Sequence, residues 1–248
     1  MNKISFQEVF KESFELIKAN KNNFGFLLFI LIFLGFLGEI FSKNPIINGV
    51  FITAYVAFFL AISVIGIFSV VNFKNDEEFP ENEFLIKKMK KVYWKILLLE
   101  LVKATILIFS LLIILIPFSI ILAIIGPKLG NNVSTVIYFA IILFGIPLVM
   151  VNILISYSLQ LFLIEDLKII ESIKSSYYLI KNNLKKSTII GLKINFFYFA
   201  VLLMFYRIKF LGIFVSSIVG LFYILMNTMV YYELKVKDDY DEDYDIYI

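Results

Sequence analysis

The sequence predicts an all-α integral membrane protein with six transmembrane helices and three cytoplasmic interfacial amphipathic helices, arranged as three helix-plus-hairpin units. Three observations point there. Hydrophobic residues make up 60% of the chain and charged residues only 17%, which would leave a water-soluble globule with more apolar surface than it can hide. Apolar runs of about 18 residues or more recur along the whole length, long enough to span hydrocarbon as helices. One polar–apolar phrase is also written twice, as EVFKESFELIKANKNN from Glu8 and as ESIKSSYYLIKNNLKK from Glu171 (171 − 8 = 163 positions apart).

The first copy opens the chain. Ser5 and Glu8 have the spacing of a capping box. Phe6, Val9, Phe10, Ser13 and Ile17 then follow helical spacing along one face, with Glu8, Lys11, Glu12 and Glu15 mostly on the other. In the second copy Ile169, Ile173, Ser176 and Ile180 take the equivalent face, widened by Ile170, Tyr177 and Leu184. Both copies end in an Asn/Lys cluster that runs into an apolar segment, so each is expected to lie flat at the interface and then turn into the bilayer. A third, degenerate copy is expected in EFLIKKMKKVYWKI, where Pro80, Glu81 and Glu83 suit a helix start.

Six apolar segments follow these starts: Phe24–Phe41, Ile46–Phe73, Ile96–Ile125, Val133–Ile164, Ser187–Tyr206 and Phe210–Tyr232. The third and fourth exceed the roughly 20 residues a crossing needs, so they are expected to tilt, bend or protrude. Pro117, and Pro147 beside Gly145, are the expected bend points. The first apolar run follows a charged helix and has no small-residue cleavage site, so no cleaved signal peptide is expected.

The connections set the orientation. Short ones carry few cations: Lys43, then Lys128, then Arg207 and Lys209. The N-terminal segment and the long second and fourth connections carry four, six and five lysines. The positive-inside rule then places both termini and every long connection in the cytoplasm, in a cell membrane. Residues 1–237 form one polytopic domain. Residues 238–248 form an acidic, tyrosine-containing tail expected to be disordered. Without the six acids of the tail the body carries 23 − 14 = +9, so the tail can fold back over the basic face or remain solvated.

Within LIEDLKIIESIKSSYYLIKNN, an acidic Glu165-Asp166 step follows a span. Glu171, Ile173 and Ser176 come next, and Ile180, Lys181 and Asn183 close the stretch. This pattern resembles the membrane domain found beside glycerophosphodiester phosphodiesterases and related uncharacterised six-helix prokaryotic membrane proteins. Ser172 stands where that family usually has alanine. The resemblance implies a fold and a membrane location, and no activity. The phosphodiesterase chemistry of such proteins resides in an appended soluble domain, and these 248 residues contain none.

The function classes narrow by elimination. There is no cysteine and no histidine, which removes disulfides, thiolate chemistry and the commonest general base and metal ligand. No Walker loop, G-x-S-x-G or H-E-x-x-H motif occurs. No enzymatic activity and no cofactor are expected. Nucleic acid is not an expected partner, because topology accounts for the lysines. The acidic group Asp76, Glu77, Glu78, Glu81 and Glu83 lacks EF-hand spacing and reads as a solvated helix start.

The candidate polar groups inside the membrane are Glu39, Glu100, Lys103, Asn152, Gln160, Lys193, Asn195 and Asn227. Glu39 can snorkel outward or meet Lys43. Glu100 and Lys103 are spaced to pair, with Lys193 as a second partner. The amides can bond between helices or line a polar path. The candidate lipid-headgroup residues are Lys11, Lys18, Lys87, Lys88, Lys174 and Lys181. The amphipathic helices themselves have two readings: packing against the ends of the bundle, or gripping anionic headgroups. The expected partners are therefore membrane lipids, with a second copy of the chain or another membrane protein as further options. Lipid interaction or membrane organisation leads. A transporter or channel for a small solute is the alternative, and an enzyme using Glu100 or Glu165 has the weakest case.

Overall fold

A computed structural model describes residues 5–75, 77–79, 82–129, 147–205 and 208–245. The described chain is all helix, with α1 at Phe6–Ala19, α2 at Lys21–Ile40, α3 at Pro45–Lys74, α4 at Asn82–Leu129, α5 at Ser158–Ile164, α6 at Ile169–Asn182, α7 at Leu184–Phe205 and α8 at Lys209–Asp245. Residues 147–154 are also helical and lead into α5. Among the described residues six stretches are long and apolar enough to cross a membrane: Lys21–Ile40, Pro45–Lys74, Glu83–Ile113, Pro147–Ile164, Leu184–Phe205 and Phe210–Lys235. The protein is a multi-pass membrane protein of the all-α class.

The two copies of the repeated phrase give α1 and α6, of equal length and with both ends displaced by 169 − 6 = 182 − 19 = 163 positions. Each stops at an asparagine in the same way. Asn20 donates its backbone N–H and its Nδ2 to the Leu16 carbonyl, and Asn183 does the same to Leu179. These bonds occupy a terminal carbonyl with a side chain that leaves the helical conformation easily. At the start of α1, Ser5 is the N-cap, but its side chain makes no capping bond, so the expected capping box does not form. In α6 it is Glu171 that caps, accepting from the Lys168 N–H at 3.2 Å.

The third piece differs. Residues 82–95 are not a separate interfacial helix but the first turns of α4, which continues through Pro117 to Leu129. No asparagine stands where Asn20 and Asn183 end the other copies, and KKVYWKIL offers no breaker, so the helix propagates. At 48 residues α4 is about 72 Å long, well beyond the bilayer core. At the other end of the chain, α8 extends helically to Asp245, past residue 238 where disorder was expected. Extending an existing helix carries no new nucleation cost.

The bundle has an inner and an outer ring. The second spans of the three hairpins are the buried ones: 44% of the apolar window is buried in α3, 50% in Pro147–Ile164 and 44% in α8, against 17%, 11% and 22% in α2, α4 and α7. The outer helices carry exposed side chains such as Phe26, Phe29, Leu101, Ile113, Phe196 and Leu203. These are stable facing lipid, not water. Close approach of neighbouring helices to α8 rests on small residues. A Cβ at Gly66 of α3 would sit 3.3 Å from Ile224 and Leu225 of α8. A Cβ at Gly35 of α2 would overlap Ile213 of α8 at 2.5 Å. Asn44 caps α3 by accepting from Ile46 and Ile47, with Pro45 at the first turn.

Each amphipathic stretch rests on the second span of the hairpin before it, and the pattern closes on itself. Phe84 of α4 meets Phe68 of α3 edge-on at 5.6 Å. Ser176 of α6 bonds to the fourth span. Phe10 of α1 stacks on Phe222 of α8 at 5.5 Å, and Phe14 stacks there too. The helix α1 packs against the side of α8. This packing buries Val9, Ser13 and Leu16 against protein.

Candidate functional site

The fourth span is broken, though not at a proline. Pro147 only begins the described helix, and residues 133–146 of the expected segment, Gly145 included, lie outside the described residues. The interruption falls at 155–157. Its cause is local: the Ile153 carbonyl is taken by both the backbone N–H of Ser156 (3.0 Å) and its Oγ (2.8 Å), which turns the Tyr157 N–H away from the helix. Ser176 of α6 repairs the break. Its hydroxyl accepts from the Tyr157 N–H at 3.1 Å and donates to the Leu154 carbonyl at 3.0 Å. A broken helix persists in a bilayer only where such partners satisfy the freed backbone groups. Its counterpart Ser13 is equally buried, yet bonds only to the Val9 carbonyl of its own helix.

The structure brings three of the predicted amides together. Asn152 donates to Asn195 Oδ1 at 3.4 Å, and the Tyr223 hydroxyl points at the same oxygen at 3.5 Å. Asn152 and Asn227 lie within hydrogen-bonding reach of that hydroxyl, with Glu100 in electrostatic range. Asn195 and Asn227 also tie to Gly191 and Tyr223 carbonyls on their own helices. Tyr198 packs 5.0 Å from Tyr223, ring to ring. Gln160 lies apart, donating to Thr228 at 3.3 Å, while its buried Oε1 has no hydrogen-bond partner among the described residues. Glu100 and Lys103 form the expected pair at 2.9 Å. Lys193 does not join them; it is exposed on α7. The tyrosines of this cluster were missed by sequence reading, although Tyr223 lies one helical turn from Asn227.

At the opposite end of the bundle Glu39 lines a pocket of about 360 Å³ between α2, α3 and α8, with Gly35, Gly38, Asn48, Tyr55 and Ser216.

The lysine-rich end is tied by charge. Lys74 bridges Glu12 of α1 (2.8 Å) and Glu233 of α8 (2.7 Å). Tyr232 bonds to Asn75. Glu165, just after α5, receives Tyr231 at 2.9 Å and pairs with Lys235. Asp166 next to it adopts a left-handed φ of 54°, which reverses the chain into α6. Of the candidate headgroup lysines, Lys18, Lys87 and Lys181 are exposed, and Lys11 makes only a 3.7 Å exposed pair with Glu15. Lys88 sits 5.4 Å over the Phe68 ring. Lys174 lines a crevice of about 630 Å³ together with Lys91, Lys95 and Lys168. The last three were read from sequence only as markers of topology. Among the described residues no group of three or more acidic side chains converges as a metal site.

No family model, curated protein or solved structure matches the chain.

Proposed function

We propose that this is a non-catalytic multi-pass protein of the cell membrane that grips anionic lipid at its lysine-rich end, with both termini and that end in the cytoplasm. The observation that carries this is the division of labour on the amphipathic segments. Part of each apolar face packs against a second span, while Lys11, Lys18, Lys87, Lys174 and Lys181 stay exposed on the same segments. Exposed aromatics stand on the same segments: Phe14, Phe84, Trp94, Tyr177 and Tyr178. Lysine beside half-exposed aromatic side chains suits the headgroup layer, where each cation near an anionic leaflet contributes about 1 kcal/mol. The membrane-domain resemblance at residues 165–183 is consistent with such a non-enzymatic role.

The test is lipid composition. Lipid retained by the full chain after mild extraction is quantified against the bulk membrane. Several-fold enrichment of anionic phospholipid supports the reading; retained lipid of bulk composition overturns it.

The transporter reading draws on the amide cluster of Asn152, Asn195 and Asn227. Those amides are engaged with one another, with Tyr223 and with their own helices. Solute flux into vesicles that depends on Asn195 would favour that reading.

A further inference from the structure

We infer that the crevice between the start of α4 and the α5–α6 turn is a discrete binding site for one anionic phospholipid, held through its phosphate. This rests on the lipid reading above and names where the headgroup goes. Lys91 and Lys95 lie one turn apart on α4 and form one wall; Lys168 and Lys174 form the other, with Val92 and Phe162 in the floor. Two acids share the lining, Asp166 and Glu171. Glu171 is committed: it caps the Lys168 N–H and lies 3.8 Å from the Lys168 ammonium. The lining is left with 4 − 2 = +2 net charge. The first turn of α6 also borders the space.

Continuity with the lipid-facing surface selects a lipid over a soluble anion. Ile170 of the lining is more than half exposed, and Trp94, 75% exposed, and Leu98 stand on the turns of α4 that carry Lys91 and Lys95, a path for acyl chains. A second crevice provides an internal comparison. Between α2, α3 and the start of α4 a space of about 400 Å³ is lined by Asn23, Phe26, Leu27, Phe79, Leu85 and Met89, among others, with no charged residue. It occupies the same junction one hairpin earlier: the beginning of a first span, its second span, and the amphipathic segment that follows. The junction recurs, and only the later one is equipped with cations.

Trp94 is the single tryptophan of the chain and reports on this region. The full chain is reconstituted in phosphatidylcholine vesicles containing a small fraction of brominated phosphatidylglycerol or of brominated phosphatidylcholine, and Trp94 quenching is compared. Each net charge is worth about fivefold, so two predict roughly a 25-fold preference for the anionic lipid. Neutralising one wall (Lys91→Gln with Lys95→Gln) or the other (Lys168→Gln with Lys174→Gln) removes that preference. Neutralising Lys11, Lys18 and Lys181, away from the crevice, leaves it in place. The two half-variants keep the test informative if one of them misfolds. Preference that survives both wall variants but disappears with the three remote lysines overturns this site and keeps the broader lipid reading. Equal quenching by the two brominated lipids overturns both. Loss of the preference with 10 mM inorganic phosphate (roughly a physiological level), but not with chloride of equal ionic strength, reassigns the site to a soluble phosphate.

Discussion

Ser176 and Ser13 occupy equivalent places in a repeated phrase and should differ sharply when replaced by alanine. In Ser176→Ala the Tyr157 N–H and the Leu154 carbonyl each lose their bond to the other helix, next to a tyrosine that is only 1% exposed. A buried polar group left unsatisfied costs about 1–3 kcal/mol. Hydrogen bonds between membrane helices measure lower, about 0.6 kcal/mol on average and up to about 1.7. Two backbone groups at a helix break therefore suggest about 2 kcal/mol, roughly a 30-fold loss in the folding equilibrium. Ser13→Ala removes only a second bond to a carbonyl inside an intact helix, so its cost should stay below about 0.5 kcal/mol. Equilibrium unfolding in mixed micelles measures both, and amide exchange at Tyr157 reads the break directly. Exchange should accelerate in Ser176→Ala alone. Equal effects of the two substitutions, or an unchanged Tyr157 amide, would refute the reasoning.

Two further outcomes follow from packing and charge. Gly35→Ala sets a methyl group 2.5 Å from the Ile213 branch methyl and should destabilise by about 1–3 kcal/mol, whereas Gly25→Ala, with nothing within 4 Å, should be neutral or stabilising by up to about 1 kcal/mol; thermal unfolding in detergent compares them. Glu100→Gln should cost more than the double change with Lys103→Gln, because it strands a cation that is only 15% exposed; a double-mutant cycle should return a coupling of about 1 kcal/mol, reduced because Glu100 is a third exposed.

Much of this architecture was legible because the bilayer imposes it. Apolar length set the spans, and the repeated phrase marked α1 and α6 together with the asparagines that end them. Three things were hidden. The continuity of α4 depends on what is missing, a stop residue near Lys95, whereas EFLIKKMKKVYWKI resembles the copies that do end. The fourth span breaks at Ser156, whose side chain competes with the backbone, a role that a serine in an apolar run does not announce. The crevice needs Lys91 and Lys174 together, 83 positions apart (174 − 91). No local period connects them, and topology already gave each lysine a reason to be there. The polar cluster lay between these cases: Asn152, Asn195 and Asn227 were identifiable as polar groups in apolar runs, but Tyr223 reads as an ordinary aromatic until the helices are assembled.

The absence of native cysteine makes the central claim directly measurable. Single cysteines at Lys11, Lys88, Lys181 and Lys43 are treated with a membrane-impermeant maleimide in right-side-out and inverted vesicles. The account predicts labelling of the first three from the cytoplasmic side alone and of position 43 from the opposite side alone. Labelling of any of the first three from the same side as position 43 would contradict it.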